Sequence, residues 1–328
     1  MGRLAKVLEY TYAGDSERKR ILRSPRFPTD VRELVMSESM EEDTLVSQEI
    51  EKTILEGAET RSVIRKVLPI VDINTYNTLV PYDLSPSGSL EPVGEVAEAP
   101  TLVTYFQSGS VQPRKYSTKI QITNEMLNDH RWDLVETQIK RAGAVLENTL
   151  NKVGMTEMLD GHNGTKPADI DPTYLHIQLS DLARARQSLQ TEYWGGGGIT
   201  FIGHPAAWRY LYTTTSGSNY AGTNLVNISP NTGDNIIGMD AYELNTPLET
   251  HRVWASSTPK YWDSTDSANH YYGIVLDSNN YAIIGMQDDI HVSREVNDPV
   301  HDLTSLVASA KFDVKVIKNK AAVRILAK

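Results

Sequence analysis

Residues 123–161, TNEMLNDHRWDLVETQIKRAGAVLENTLNKVGMTEMLDG, carry one unusually long amphipathic pattern. Apolar side chains recur in it near helical spacing and predict one continuous buried stripe. Asp133 and Glu136 have the spacing of a capping box, and Gly161 suits a left-handed helix stop. A helix of about 28 residues at ~1.5 Å per residue is roughly 40 Å long, so we expect a rigid beam rather than the wall of a pocket. The predicted stripe consists of Leu134, Val135, Ile139, Ala142, Val145, Leu146, Leu150, Val153 and Met158.

The composition is that of an ordinary globular protein. The chain has 328 residues, of which 40% are hydrophobic and 23% are charged, enough for one large or two ordinary domains. No segment approaches the ~18 apolar residues of a membrane helix, and the N-terminus lacks the apolar core of a signal peptide. Cysteine is absent, which excludes disulfides, thiolate metal sites and thiol nucleophiles.

The net charge of −10 argues against a general duplex-binding protein, but the charge is unevenly distributed. Residues 1–32 hold eight basic and four acidic side chains, whereas residues 33–59 hold nine carboxylates and one lysine. These blocks are either two solvated faces or an arm whose basic half reaches a neighbour's acidic surface or nucleic acid. On the second interpretation Arg18, Lys19 and Arg20 are candidate assembly residues.

The region before the long helix lacks a core of its own. Residues 1–40 show no sustained period and predict an extended arm that orders on a partner. Residues 41–68 predict one or two amphipathic helices, interrupted near Gly57 and ended by Pro69, and residues 70–82 predict a strand. The next forty or so residues lack helical periodicity, and their second half alternates as a long β-ribbon does. We expect that segment to pack outside its own subunit.

The remainder contains further helices, with strands scattered along the chain, which predicts a mixed α+β fold. A second helix over 179–194 and a strand over 199–203 precede a helix that opens at His204. Residues 213–246 predict surface loops, and strands follow around 249–255. A hairpin turning at 277–280 and two short C-terminal strands complete the chain.

No catalytic constellation is evident, and we predict no catalytic, cofactor or metal site. The glycines at 195–198 follow a helix and precede a strand, the reverse of a phosphate loop. Asp288, Asp289 and His291 come closest to the ligands of a metal site, but we favour an ordinary structural role for them over metal binding. Glu95 and Glu98 lie in the extended segment, where solvent or an intersubunit contact suits them better than acid–base catalysis. Core packing is preferred for Trp194, Trp208, Trp254 and Trp262.

Several passages together resemble the major capsid proteins of tailed double-stranded DNA viruses, the Hong Kong 97 type. The similar passages are EPVGEVAEAP at 91–100, KYSTKIQITNEML at 115–127, the helix–glycine–strand passage at 179–203, IIGMDAYELNTP at 236–247 and KFDVKVIKNKAAVRIL at 311–326. The resemblance implies the Hong Kong 97-type capsid fold, with an N-terminal arm, an extended E-loop, a P-domain with a long spine helix, and an A-domain.

The resemblance also implies a division of the chain. The implied segments are an N-terminal arm (1–44), an arm helix with the start of the P-domain (45–80), the E-loop (81–121), the spine-helix part of the P-domain (122–172), the A-domain (173–285), the P-domain return strands (286–316) and the final A-domain strand (317–328).

The implied function is that of a shell subunit. Copies would form hexamers and pentamers of an icosahedral virion shell, assembled in the host cytoplasm around double-stranded DNA without sequence-specific binding. Portal, scaffolding and decoration or minor capsid proteins are the implied partners, and no membrane is involved. The alternatives are an encapsulin-type compartment that holds cargo enzymes and, less favoured, a soluble enzyme with an unrecognised site.

Two further expectations concern processing and covalent locking. Some relatives lose an N-terminal scaffolding segment; here we expect the scaffold to be a separate protein or to lie within residues 1–40. Some relatives join an E-loop lysine to a P-domain asparagine near a glutamate, for which this chain offers Lys115 or Lys119, Asn297 and Glu295. We expect shells without this crosslink, and take Lys115 and Lys119 as candidate assembly residues with Glu95 and Glu98.

Overall fold

A computed structural model gives the fold of the chain in two compact units. One unit draws on Met1–Lys66, Arg114–Val153 and Asp288–Phe312, and the other on Val67–Pro113, Gly154–Gln287 and Asp313–Lys328. In the part of the chain that the structure describes, no helix combines the length and apolar character needed to cross a bilayer. The structure describes residues 21, 42–59, 61–74, 78–84, 105–123, 132–161, 167–172, 177–192, 198–205, 207–208, 211, 226–227, 234–244, 262–263, 270–298 and 303–327.

Both helices and strands occur along the described residues, in agreement with the mixed α+β prediction. The elements are α1 (Glu42–Glu59), α2 (Ile64–Val67), β1 (Ile70–Asp72), β2 (Thr78–Leu84), β3 (Tyr105–Val111), β4 (Arg114–Thr123), α3 (Trp132–Asp160), β5 (Ala168–Ile170), α4 (Leu179–Glu192), β6 (Ile199–Gly203), β7 (Val226–Asn227), β8 (Asp234–Ile236), β9 (Met239–Glu243), β10 (Trp262–Asp263), β11 (His270–Asp277), β12 (Ala282–Asp298), β13 (Leu303–Val316), a 3-10 turn (Asn319–Ala321) and β14 (Ala322–Ala327).

The predicted long helix is confirmed as α3, with two corrections. It begins at Trp132, so Asp133 lies inside the first turn rather than at the cap, and the capping-box prediction is wrong. The stop is confirmed, because Gly161 has φ 77° and its amide donates to the Glu157 carbonyl at 2.9 Å. The apolar stripe is narrower than predicted. Leu134 and Val145 are 49% and 52% exposed, since helical spacing alone does not say how much of the face a neighbour covers.

Helix α1 crosses α3 with the two backbones in close approach. A Cβ on Gly57 would lie 2.2 Å from the Lys140 carbonyl oxygen, and one on Gly143 would lie 2.0 Å from that of Ile54. Gly57 therefore does not interrupt the helix, as the sequence had suggested; it lies within α1 and permits the crossing. The interruption comes later, between Glu59 and Ile64, where Asn151 of α3 accepts the Ile64 amide at 3.1 Å.

A four-stranded sheet has the strand order β1-β12-β13-β4. Strand β1 is parallel to β12, with Ile70 opposite Ile284. Strand β4 is antiparallel to β13 over ten residue pairs. The rings of Tyr116 and Phe312 stack across this pair at 4.6 Å. This sheet contains the first of the two predicted C-terminal strands, β13, which is longer than expected.

An eight-stranded sheet contains the second C-terminal strand, β14, in the order β5-β14-β11-β6-β9-β8-β7, with β10 paired to β11. The fully buried strand β6 lies between β11 and β9. Trp208 is 2% exposed and packs beside Phe201, so its predicted place in the core is confirmed. The other tryptophan predictions rest on side chains outside the described residues.

Two loop and hairpin predictions need correction. Residues 213–246 contain β7, β8 and β9, and the last of these pairs with β6 in the sheet, so the surface-loop prediction is wrong there. The predicted turn at 277–280 exists, but β11 and β12 do not pair with each other. They enter the eight-stranded and the four-stranded sheets respectively. The strands expected around 249–255 lie outside the described residues.

Candidate assembly surfaces

Residues 81–84 and 105–111 of the predicted E-loop lie in the β2–β3 ribbon, and residues 114–121 lie in β4. The ribbon strands pair antiparallel from Thr78 opposite Val111 to Leu84 opposite Tyr105 and form a separate two-stranded sheet. Leu79 is 63% exposed, an unusual position for a large apolar side chain. A ribbon of two strands is marginally stable by itself, so contacts with another surface would stabilise it.

The base of the ribbon is held by a small apolar cluster. Ile73, Val111 and Ile283 form its buried centre. Gly285 leaves room for it, because a Cβ there would come within 2.4 Å of the side chains of Ile73 and Val111. Beyond the cluster, the Gln112 amide donates to the Asp313 carboxylate at 2.9 Å. The described base of the ribbon is therefore fixed by both apolar packing and a hydrogen bond.

Of the predicted assembly residues, the structure describes Lys115 and Lys119. Both are exposed on β4, where residues 115, 117, 119 and 121 alternate with inward-facing Ile120 and Ile122. Arg18, Lys19, Arg20, Glu95 and Glu98 lie outside the described residues. The backbones of Glu295 and Asn297 belong to β12, but their side chains are not described, so the predicted absence of a crosslink stays a prediction.

The three residues that resembled a weak metal set have separate partners, which are basic for Asp288 and Asp289 and acidic for His291. Asp289 accepts hydrogen bonds from Arg65 at 3.1 and 3.3 Å, and Asp288 pairs with Lys311 at 2.6 Å. His291 lies 3.6 Å from Glu51. Among the described residues no group of three or more histidine, aspartate or glutamate side chains has the arrangement of a metal site.

Arg65 joins α2, α3 and β12 through two carboxylates. Besides Asp289, it contacts Glu147 of α3 at 3.3 Å. Burial disfavours the charged guanidinium, but attraction to Glu147 and Asp289 outweighs it and raises the pKa of Arg65. Burial also raises the pKa of Glu147, and the attraction of Arg65 offsets this only in part. The cluster holds the helices and the sheet together.

A second cation, Arg324, is buried and caps the C-terminal end of α3. The Arg324 guanidinium donates to both oxygens of Asp169, at 2.7 and 2.8 Å, and to the Leu159 carbonyl at 2.6 Å. It also lies over the Tyr271 ring, 4.7 Å from the centroid. The Tyr281 hydroxyl donates to the Met158 carbonyl nearby. A cation at the negative end of the helix dipole is favourable, so β14 helps to fix the end of the beam.

Sequence reasoning missed the contacts of both arginines. Arg324 gave one signal, because it is the only charged residue in the apolar strand AVRILA. Its partner Asp169 is 155 positions away, and nothing in the sequence identifies it. Arg65 lies in a charged, helical stretch and gave no such signal.

Comparisons with known proteins agree with this architecture. The model of the phage capsid family matches residues 42–326. The fold is similar to the capsid of cyanophage P-SCSP1u, with TM-score 0.58 and 13% identity over 81% of this chain and 88% of that one. The fold is also similar to that of a virus-like particle from Pyrococcus furiosus, with TM-score 0.57 and 12% identity over 85% of this chain and 98% of that one.

A structure from Gordonia phage Cozz is also similar, with TM-score 0.53 and 13% identity over 81% of this chain and 86% of that one. At such low identity these structures bear on the fold alone. A search of curated proteins finds no match.

Proposed function

This chain belongs to the phage capsid family and is a structural protein of a capsid shell, and on that premise we propose that its copies form an icosahedral virion shell of hexamers and pentamers around double-stranded DNA. The observation that carries the proposal is the combination of a 29-residue helical beam with a ribbon that pairs only within itself among the described residues. Such a subunit gains stability from its neighbours.

We assign the parts of the subunit by position. The N-terminal arm is 1–44, the arm helix and start of the P-domain 45–80, the E-loop 81–121, the spine-helix part 122–172, the A-domain 173–285, the return strands 286–316 and the final A-domain strand 317–328. The two discontinuous units support the A-domain assignment only, because Gly154–Gln287 falls in one unit, and that unit also includes Val67–Pro113. The β2–β3 ribbon supports the E-loop assignment.

Packaged DNA is held without sequence-specific binding, and a net charge of −10 does not favour extensive contacts with its phosphates. Portal, scaffolding and decoration or minor capsid proteins are the proposed partners, and assembly takes place in the host cytoplasm. We assign the chain no catalytic role. Arg18, Lys19, Arg20, Lys115, Lys119, Glu95 and Glu98 are the proposed assembly residues.

Analysis of particle contents tests this proposal. Particles recovered from infected or virus-producing cells should contain DNA that resists nuclease until the shell is opened by denaturation. Particles that contain a defined enzyme and no protected DNA would instead favour the encapsulin-type alternative. Treatment of opened particles with the same nuclease is the control, because it shows that the nuclease is active under these conditions.

A further inference from the structure

One buried carboxyl group of the subunit is only half satisfied. Glu147 of α3 is 1% exposed, which is unusual for a glutamate. Its Oε2 atom lies 3.3 Å from the Arg65 guanidinium, whereas its Oε1 atom is buried and has no hydrogen-bond partner among the described residues. A buried carboxylate needs partners for both of its oxygens, so the anionic form of Glu147 is poorly supported here.

The cation that faces Glu147 is shared with a more exposed carboxylate. Arg65 donates to both oxygens of Asp289, at 3.1 and 3.3 Å, and the Asp289 side chain is 54% exposed. Asp289 keeps much of its hydration as an anion, and Glu147 does not. Of the two carboxylates that hold Arg65, Glu147 is therefore the one that gains more from taking up a proton.

The groups around Glu147 act in opposite directions on its ionisation. Burial and the negative charge of Asp289 on β12 oppose the anion, whereas Arg65 of α2 and the Ser62 side chain favour it. Burial is the largest of these effects, and it raises the pKa of Glu147 above the ordinary value of 4.5. The geometry and the electrostatics therefore both favour the neutral acid more strongly at Glu147 than at an exposed glutamate.

The other charged groups at this junction are paired with one another. Glu51 of α1 lies 3.6 Å from His291 of β12, and Lys311 of β13 lies 2.6 Å from Asp288 of β12. On α3 itself, the positions three and four residues before and after Glu147 carry no charged side chain. The balance at Glu147 is therefore set mainly by burial and by the contacts of the Arg65 cluster.

We propose that Glu147 is a proton-operated link between α2 and α3. The ionised carboxylate shares Arg65 with Asp289. When the carboxylate takes up a proton from solvent it becomes a neutral buried group, and Arg65 keeps its contact with Asp289 on β12. Mild acidification thus weakens the contact between α2 and α3 inside a folded subunit. The link belongs to the single subunit and does not depend on shell formation.

The direction of the pH effect distinguishes this link from an ordinary ion pair. Because the pKa of Glu147 is higher in the folded state, the folded subunit binds a proton there at pH values where the unfolded chain does not. The resulting stabilisation is fully present below the ordinary value of 4.5 and is lost as pH rises through the folded-state pKa. An ordinary ion pair lowers the pKa of its carboxylate, and its stabilisation is lost in acid instead.

Glu147→Gln tests this direction, because the amide resembles the neutral acid in shape and does not ionise. At neutral pH the dilute variant should melt at or above the wild-type temperature. As pH falls towards ~5, the wild-type melting temperature should rise relative to that of the variant by about 2 °C or more. Comparison at each pH cancels other titrations, such as that of His204. A variant that melts lower at neutral pH and approaches wild type in acid, a difference that does not depend on pH, or a variant that does not fold would overturn the proposal.

Infrared spectroscopy detects the proton itself, since a protonated carboxyl has a C=O stretching band that a carboxylate lacks. The acid-minus-neutral spectrum of wild type should contain such a band above pH 4.5 that Glu147→Gln lacks. Asp289→Asn should move the onset of this band to lower pH, because the negative charge of Asp289 opposes ionisation of Glu147. Glu59→Gln, at an exposed position of α1, is the matched control and should leave the band and the melting temperature unchanged. Absence of the band, or an unchanged onset in Asp289→Asn, would refute the link.

Discussion

At the scale of single residues, the subunit depends on cations buried where helices and sheets meet. Arg324 is 1% exposed and donates to Asp169 of β5 and to the last turn of α3. Desolvating a charge is unfavourable, and here the bidentate carboxylate and the helix carbonyl offset it. Removal of the guanidinium leaves the partner groups without their donor.

We therefore expect Arg324→Met to lower the free energy of unfolding of the dilute, unassembled subunit by about 3 kcal/mol. Chemical denaturation measures this change. Lys320→Met is the matched control, since Lys320 is exposed in the same C-terminal segment and should change stability by under ~0.5 kcal/mol. Equal effects of the two substitutions would refute the role of the Arg324 contacts.

His204 gives a pH-dependent residue-scale prediction. Burial lowers its pKa to about 4, against about 6.5 in an unfolded chain. Between these values the unfolded state binds a proton that the folded state does not, so this contribution to stability is present above pH ~6.5 and is lost as pH falls towards ~4. The full shift corresponds to roughly 3 kcal/mol, and solvent screening of this partly exposed side chain lowers the expected loss to about 2 kcal/mol.

Urea unfolding of the dilute subunit across this pH range measures the effect. His204→Asn should show a shallower fall in stability with acidification than wild type, because the titrating group is absent. Parallel curves for the two proteins would show that His204 ionises alike in the folded and unfolded states, contrary to its burial.

At the scale of elements, α3 has one buried face and one exposed face, and the neighbouring residues Val145 and Leu146 lie on different faces. Leu146 is 3% exposed and Val145 is 52% exposed. Leu146→Asp places an unpaired charge in the core, which costs several kcal/mol, and should unfold the subunit. Val145→Asp should leave the melting temperature of the dilute subunit nearly unchanged. Thermal unfolding compares them, and similar large losses would mean that Val145 is also buried.

The crossing of α1 and α3 gives a second element-scale prediction. Alanine is the better helix former by ~1 kcal/mol, so Gly143→Ala would stabilise an isolated helix. In the subunit the added carbon would meet the Ile54 carbonyl at 2.0 Å, and we expect net destabilisation of about 2 kcal/mol or more.

Calorimetry of the dilute subunit measures the effect of Gly143→Ala. Thr137→Ala, at an exposed position of the same helix, should be close to neutral. A higher melting temperature for Gly143→Ala than for wild type would contradict the close crossing.

The elements also show what the sequence alone could predict. Apolar spacing located α3, α4 and β6 because periodicity reflects a buried face directly. It did not distinguish Leu146 from Val145, since coverage depends on a partner helix. Turn chemistry located the turn after Asp277 but did not reveal that the flanking strands join different sheets. Gly57 suggested an interruption of α1, because the sequence does not show whether a glycine breaks a helix or lets two helices approach closely.

The candidate surface was predictable only in part. The exposure of Lys115 and Lys119 followed from strand alternation, since β4 alternates with the period of two that its sequence predicts. Their cross-strand neighbours on β13 are nearly two hundred positions away in the chain and depend on register, which the sequence did not give. The Arg65 and Arg324 contacts likewise join distant segments and required the structure.

At the scale of the whole molecule, the described residues supply a beam, two sheets and a ribbon, and the ribbon has little core of its own. A subunit built in this way is stabilised by identical neighbours, which is the property that a closed shell requires. The Arg65 and Arg324 contacts stabilise the subunit itself, whereas the β2–β3 ribbon is the part that we propose lies against other copies. Loss of the first group should unfold the protein, and loss of the second should prevent assembly.

Electron microscopy of the purified chain as its concentration is raised tests the central claim most directly. We predict closed particles of uniform diameter, in equilibrium with subunits or capsomers. Deletion of residues 85–104, joined by a short glycine linker, should abolish these particles and leave folded, soluble subunits or capsomers. A wild-type chain that remains a monomer or small closed oligomer at every concentration, or a deletion variant that forms normal shells, would contradict the account.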